Sequence, residues 1–255
     1  MELKKHIPNA LTCGNLFFGC LALVQAFNND LVYTAYFVAI ALVLDFFDGF
    51  VARLLKVCSP IGKDLDSLAD MVTFGVVPGV VMFQLLNAAF LSVLNTTDLS
   101  GDVGISPNYS GIQTEAYFGF IITIFSCIRL ARFNNDTRQS TSFIGLPTPA
   151  NTMVICSLPL ILAFQPELHF ATKLIENPAF LIAFSCIMSY LLLAEIPLFA
   201  LKFKNFAWSD NKIVYLFLLV AVVLLFGLNV IAVPLIILLY ILISIVNNIF
   251  LKNKV

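Results

Sequence analysis

Charge is what this sequence has least of. Of its 255 residues only 11% are Asp, Glu, Lys or Arg, whereas 60% are hydrophobic, and the mean hydropathy is +0.96. A soluble domain carries about a quarter of its residues as charges, so a water-soluble globular fold is excluded. The net charge is −1 with no basic run, which leaves no electrostatic footprint for nucleic acid. The six cysteines (Cys13, Cys20, Cys58, Cys127, Cys156, Cys186) form no C-x-x-C pair, and five of them lie in apolar stretches, where the thiol serves as a small apolar group. Neither a disulfide framework nor a zinc site is expected. His6 and His169 each stand without metal-ligand neighbours.

What is present is a succession of apolar stretches, each near the roughly 20 residues a helix needs to cross a bilayer. Strands of a membrane barrel would be shorter and would alternate polar with apolar residues. The expected fold is all-α, a polytopic transmembrane helical bundle of about eight spans in one integral-membrane domain over 1–255. The spans fall at roughly 7–28, 31–56, 64–94, 113–133, 149–165, 178–201, 212–229 and 234–251. Pro8 suits the first turn of the first helix. Residues 95–112 form the clear polar loop, and Gly227, Asn229 and Pro234 supply turn chemistry between the last two spans. The first stretch follows Lys4 and Lys5 but precedes no small-residue cleavage pattern, so it is expected to remain in the mature chain. With the N-terminus in the cytoplasm, every Lys and Arg except Lys173 falls on the cytoplasmic side, as the positive-inside bias requires.

Chemistry concentrates in residues 45–70. Asp45 and Asp48 lie three apart at the end of the second span, followed by Gly49, Ala52 and Arg53; positions 45, 48, 49 and 52 share one helical face. Gly62, Asp66 and Asp70 then recur every four residues at the start of the third span. The chain reverses between them, so both acidic faces can meet in one pocket. Carboxylates converging at membrane depth are costly unless a positive species binds. Hard cations such as Mg²⁺ or Mn²⁺ suit oxygen ligands, and two of them can bridge a diphosphate. Gly49 and Ala52 let a base or a phosphate approach the helix backbone, and Arg53 offers a fork of donors to a phosphate oxygen. The same carboxylates could instead cap helices, pair with Arg53, Lys56 and Lys63, or line a cation or proton path, as in a transporter; that last use predicts acids deep in several spans.

Residues 45–70 match D-x2-D-G-x2-A-R-x8-G-x3-D-x3-D without gaps, and in this the chain resembles the CDP-alcohol phosphatidyltransferase family. The resemblance implies six core membrane helices, a homodimer, and a polar cavity that faces the cytoplasm and opens to bilayer lipid. It implies that Asp45, Asp48 and Asp66 bind metal and that Asp70 both binds metal and acts as the general base, with Mg²⁺ or Mn²⁺ as cofactor, two ions per site. Gly49, Ala52 and Arg53, with Ser59 in the intervening loop, correspond to positions that hold the CDP-diacylglycerol headgroup. Pro8, Asn9 and Thr12 match the family's P-N-x-x-T element, which helps to hold the nucleotide.

The family's acceptors include serine, glycerol 3-phosphate, inositol or its phosphate, choline and ethanolamine. The opening IPNALTCGN, RLARFNND at 129–136 and FIGLPTPAN at 143–151 resemble the bacterial and archaeal members that use L-serine. On that resemblance the partners are CDP-diacylglycerol and L-serine, the product is phosphatidylserine with release of CMP, and the setting is a prokaryotic cytoplasmic membrane. Arg129 and Arg132, three apart on one helix face, are candidates for the serine carboxylate or the lipid-side phosphate; both also fit as ordinary anchors under the positive-inside bias. Residues 1–150 carry the motifs, and 178–255 read as generic membrane helix. Gly75 and Gly79 have G-x-x-x-G spacing, which serves helix packing.

Overall fold

A computed structural model describes residues 3–57, 59–97, 111–135, 143–198 and 208–252. The chain is almost entirely helical. Helix α1 (Leu3–Phe27) and α2 (Leu31–Leu55) form an antiparallel hairpin. Its tight turn ends with Asp30, whose side chain accepts from Tyr33 N and caps α2. Next come α3 (Pro60–Asp70), a π-helical stretch (Met71–Val76) and α4 (Val77–Thr97), which together make one long span. A 3-10 turn (Thr114–Phe120) leads into α5 (Ile121–Asn135), and α6 covers Thr148–Phe164. The short α7 (His169–Ile175) is bent by 79° against α8 (Pro178–Leu193). Finally, α9 (Trp208–Leu228) and α10 (Ala232–Lys252) flank a 3-10 turn at Asn229–Ile231. Strands β1 (Phe143–Ile144) and β2 (Pro197–Leu198) pair antiparallel over two residues each, tying the entry of α6 to the exit of α8.

Among the described residues five helices qualify by length and apolarity as membrane spans, or six if α7 and α8 count as one broken span. At 17 residues α6 falls just short. The apolar stretch Asn211–Asn248 passes as a single helix, yet it folds back on itself: Asn229 takes a left-handed φ of 54°, and Phe217 of α9 packs on Tyr240 of α10 with ring centroids 5.6 Å apart. A polytopic helical bundle results, as the hydropathy pattern predicts.

Several boundaries differ from the sequence expectation. Pro8 does not open the first helix; α1 begins at Leu3 and carries Pro8 inside it, where the missing N–H leaves the preceding turn one hydrogen bond short. The third span starts at Pro60, because Ser59 accepts from Gly62 N at 3.0 Å as an N-cap. The sixth apolar stretch leaves the helix after Leu193 to form β2. Of the polar loop, residues 98–110 lie outside the described residues.

The core is built around the third span, whose apolar window is 56% buried against 17–28% for the other qualifying spans. Phe74, Val77, Val81, Met82 and Leu86 are fully enclosed there, with Ile122 and Ile155 packed against them. Gly119 permits this packing, since a Cβ on it would stand 2.6 Å from Phe83 N. Gly75 and Gly79 turn their bare faces toward Ser126 and Thr123 of α5, the close approach that G-x-x-x-G spacing allows.

The contacts also sort the helix ends. Asn15 meets Asp70 and Thr73, Gln84 meets Ala26, and Gln165 meets Leu228 and Ile231. Arg53, Lys56, Lys63, Arg129 and Arg132 therefore share one end of the bundle, and Lys173 lies at the other. Arg138, Lys202, Lys204 and Lys254 lie outside the described residues.

Candidate active site

Lys56 ends α2 in a left-handed conformation (φ 54°), its N–H bonded to the carbonyls of Ala52 and Arg53. Three residues later Ser59 caps α3, with Pro60 at its first position. So tight a reversal sets the Asp45 and Asp48 face of α2 against the Asp66 and Asp70 face of α3. One oxygen from each of Asp45, Asp48 and Asp66 lies within 4.8 Å of the others, and the carboxyl of Asp70 is in side-chain contact with that of Asp45. All four residues of the motif meet.

Helix α1 completes the site from a third direction. Thr12 Oγ1 stands 2.5 Å from Asp48 Oδ2 and 3.1 Å from Pro8 O; it has one proton, and the shorter contact takes it. Asn15 Nδ2 donates to Asp70 Oδ1 at 3.1 Å, while Asn15 O accepts from Thr73 Oγ1 at 3.3 Å. Asn15 is not among the residues that the family's motifs single out. The signal that finds it is periodicity: Pro8, Thr12 and Asn15 fall at i, i+4 and i+7, one stripe of α1.

Beside the aspartates opens a cavity of about 320 Å³, within the range of small-molecule sites. Pro8, Asn9 and Thr12 line it from α1, Asp48, Gly49, Ala52 and Arg53 from α2, and Ser59, Gly62, Lys63 and Asp66 from α3 and its entry. Every residue expected to hold the nucleotide headgroup is thus on this wall. Gly62 has no room to be larger, since a Cβ would stand 3.1 Å from Ser59 Oγ and 3.2 Å from Asn9 Oδ1. Asp45 and Asp70 stand behind this wall rather than on it.

The two candidate arginines part company. Arg129 is 5% exposed and donates from Nε to Leu146 O at 3.2 Å, whereas Arg132 is exposed. Gly145, at φ +76°, lets the 143–151 segment lie against α8: its N–H donates to Ile196 O, and a Cβ would come within 2.8 Å of Leu192 O.

The charge balance shows what the site can hold. The charged neighbours acting on Asp66 are Asp48 and Asp45, and those acting on Asp70 are Asp45 and Asp66. Arg53 acts on Asp48, but Lys63 Nζ is engaged by Asn134 O at 2.8 Å. Like charges this close and this buried are costly, and a cation between them would offset that cost. The donors are all oxygen, which suits Mg²⁺ or Mn²⁺. The residues present therefore fit a divalent metal. A cation pathway would need acids along several spans, and these four gather on two helix ends.

Fold and site together define an integral-membrane enzyme whose acidic centre sits at one end of a helical bundle, beside a polar cavity. The profile of the CDP-alcohol phosphatidyltransferase family matches residues 5–201, and the chain belongs to that family. It is 30% identical over 252 residues to the CDP-diacylglycerol–serine O-phosphatidyltransferase of Helicobacter pylori (strain J99), covering 97% of this chain and 93% of that protein. The enzyme of the same name from Bacillus subtilis (strain 168) is 30% identical over 203 residues, 79% of this chain and 91% of that protein. The archaetidylserine synthase of Methanothermobacter thermautotrophicus is 26% identical over 179 residues, covering 69% and 67%.

Proposed function

We propose that this enzyme transfers the phosphatidyl group of CDP-diacylglycerol to the hydroxyl of L-serine, forming phosphatidylserine and releasing CMP. The observation that carries the reading is the single wall on which Pro8, Asn9, Thr12, Gly49, Ala52, Arg53 and Ser59 meet Asp48 and Asp66. The serine-specific names of relatives aligned over most of the chain support the choice of acceptor.

In this mechanism the cytidine end of the donor lies in the cavity against Gly49 and Ala52, where small side chains admit it, and its acyl chains stay in lipid. Arg53 donates to a phosphate oxygen. Asp45, Asp48, Asp66 and Asp70 would hold the divalent ions, two per site, which would supply positive charge to the diphosphate and to the departing CMP. Thr12 orients Asp48 and Asn15 orients Asp70. The serine oxygen attacks the phosphorus nearer the diacylglycerol, and a new O–P bond forms. The bond from that phosphorus to the bridging oxygen breaks, CMP departs with that oxygen, and the serine proton passes to Asp70 as the new bond forms.

The bundle end that carries Arg53, Lys56, Lys63, Arg129 and Arg132 faces the cytoplasm of a prokaryotic cell in this reading, in keeping with the positive-inside bias. The chain acts as one membrane domain with its chemistry in residues 1–150, and it works as a homodimer. To test the acceptor, detergent-purified enzyme receives CDP-diacylglycerol, Mn²⁺ and, in separate arms, labelled serine, glycerol 3-phosphate, inositol phosphate or ethanolamine. Labelled phosphatidylserine with stoichiometric CMP is expected in the serine arm. A lipid product from another arm alone would keep the family chemistry and refute the acceptor.

A further inference from the structure

The third span changes its winding where its acidic pair ends. Asp70 is the last residue of α3, and the π-helical stretch Met71–Val76 begins at the next position. There Val77 N donates to Val72 O, a bond across five residues rather than four. Pro78 is the local cause. In an α-helix the N–H of that position would serve Phe74 O, but proline has none, and its ring presses on that carbonyl. A wider turn relieves the clash and leaves the carbonyl to be met from elsewhere. Thr152 Oγ1 of α6 meets it at 3.0 Å, sharing its one proton with Thr148 O at 2.9 Å. Thr123 Oγ1 of α5 donates to Gly75 O at 3.0 Å, and Gly79 admits it, since a Cβ there would collide with that oxygen. From within the stretch Thr73 Oγ1 donates to Asn15 O at 3.3 Å, on the residue whose side chain holds Asp70.

A π turn holds one residue more than the α turn it replaces, and one residue is about 100° of helix phase. The α4 end cannot supply that rotation, because Val77, Val81, Met82 and Leu86 are fully enclosed. Closing the stretch into ordinary α-helix would therefore swing α3 about its own axis. Asp66 and Asp70 would leave the face that meets Asp45 and Asp48, and Asp70 would leave Asn15. The winding of residues 71–76 thus decides whether the four carboxylates converge.

We propose that Thr152 and Thr123 are positioning residues of the acidic centre: by holding the π stretch open they fix the phase of α3, and with it the places of Asp66 and Asp70. Neither lines the donor cavity, so both act through the backbone carbonyls of Phe74 and Gly75. The competing use of these hydroxyls is to satisfy carbonyls that the wide turn exposes, with no bearing on the aspartates. The inference rests on the metal-holding role given above to the four aspartates.

Pro78→Ala separates the two uses, because the alanine N–H gives Phe74 O a partner and lets the stretch close. Wild type, Thr152→Val, Thr152→Ser, Thr123→Val and the double variant Thr152→Val/Pro78→Ala are purified in detergent. Each is measured for its thermal unfolding midpoint in EDTA, for Mn²⁺ affinity without substrate from the paramagnetic resonance signal of free Mn²⁺, and for CMP release from CDP-diacylglycerol and serine. We expect Thr152→Val to lower Mn²⁺ affinity and kcat by roughly tenfold, the lower end of what losing an outer partner of a metal ligand costs, with the CDP-diacylglycerol KM little changed. Thr123→Val should move both in the same direction, and Thr152→Ser should stay close to wild type. In the double variant the unfolding midpoint should recover while Mn²⁺ affinity and kcat fall further. Recovery of all three together would overturn the proposal and leave the hydroxyls as partners for exposed carbonyls. Unchanged Mn²⁺ affinity and kcat in well-folded Thr152→Val or Thr123→Val would overturn it as well; should one valine variant fail to fold, the other carries the comparison. Failure of the metal reading itself is seen separately, as wild type that binds no Mn²⁺.

Discussion

Thr12→Val tests whether α1 tunes the metal centre. The side chains are nearly the same shape, but valine removes the hydroxyl that sits 2.5 Å from Asp48 Oδ2. Both partners are buried, Thr12 at 3% and Asp48 at 5% exposure, so water is poorly placed to replace the lost donor. A hydrogen bond to a charged group contributes about 1.5–3 kcal/mol, and about 1.4 kcal/mol is tenfold in an equilibrium constant. The expected change is therefore roughly 10- to 100-fold, the range found when an outer partner of a metal-ligating carboxylate is removed. Metal-free enzyme is titrated with Mn²⁺ while CMP release is followed at saturating CDP-diacylglycerol and serine. We expect the half-saturating Mn²⁺ concentration to rise by that factor, with turnover at saturating metal within a few-fold of wild type and Thr12→Ser close to wild type. Superimposable titrations for Thr12→Val and wild type would refute the link between Thr12, Asp48 and metal affinity.

Asp70→Asn should abolish CMP release while the protein still elutes as wild type; near-normal turnover would remove Asp70 from the role of base. Asn15→Leu takes away the donor at 3.1 Å from Asp70 Oδ1, and a fall in kcat of roughly 10- to 100-fold is expected for a hydrogen bond to a charged group, with the CDP-diacylglycerol KM little changed in steady-state assays. Gly119→Ala forces a methyl to within 2.6 Å of Phe83 N, a backbone atom that cannot swing aside. A loss of about 1–3 kcal/mol is expected for such overpacking, seen as a lower midpoint of thermal unfolding in detergent.

The aspartates and the cavity wall were legible because their positions depend on local geometry. Spacings of three and four residues hold whatever surrounds a helix, and the short link between Lys56 and Ser59 leaves two acidic helix faces little choice but to meet. Asn15 was legible in principle, as the next position of the Pro8–Thr12 stripe. Arg129 and Arg132 were not separable, since their R-x-x-R spacing points both to one face. Which of them turns inward depends on Leu146, brought alongside by a segment 17 residues further along the chain. The π-helical stretch was hidden as well, because MVTFGV reads as ordinary apolar helix. Its carbonyls are met by hydroxyls from two other helices, Thr123 to Gly75 O and Thr152 to Phe74 O.

The sequence by itself determined that this chain lives in a bilayer, how its helices alternate, and which four carboxylates share one site. Those properties follow from hydropathy and helical period, which act over a few turns. Only the tertiary structure decided that Asn15 orients Asp70, that Arg129 is interior while Arg132 is not, and that hydroxyls of α5 and α6 meet the π-helical stretch. Each of those depends on the distance between helices far apart in the chain, and that distance is set by how glycines and hydroxyls let the helices pack.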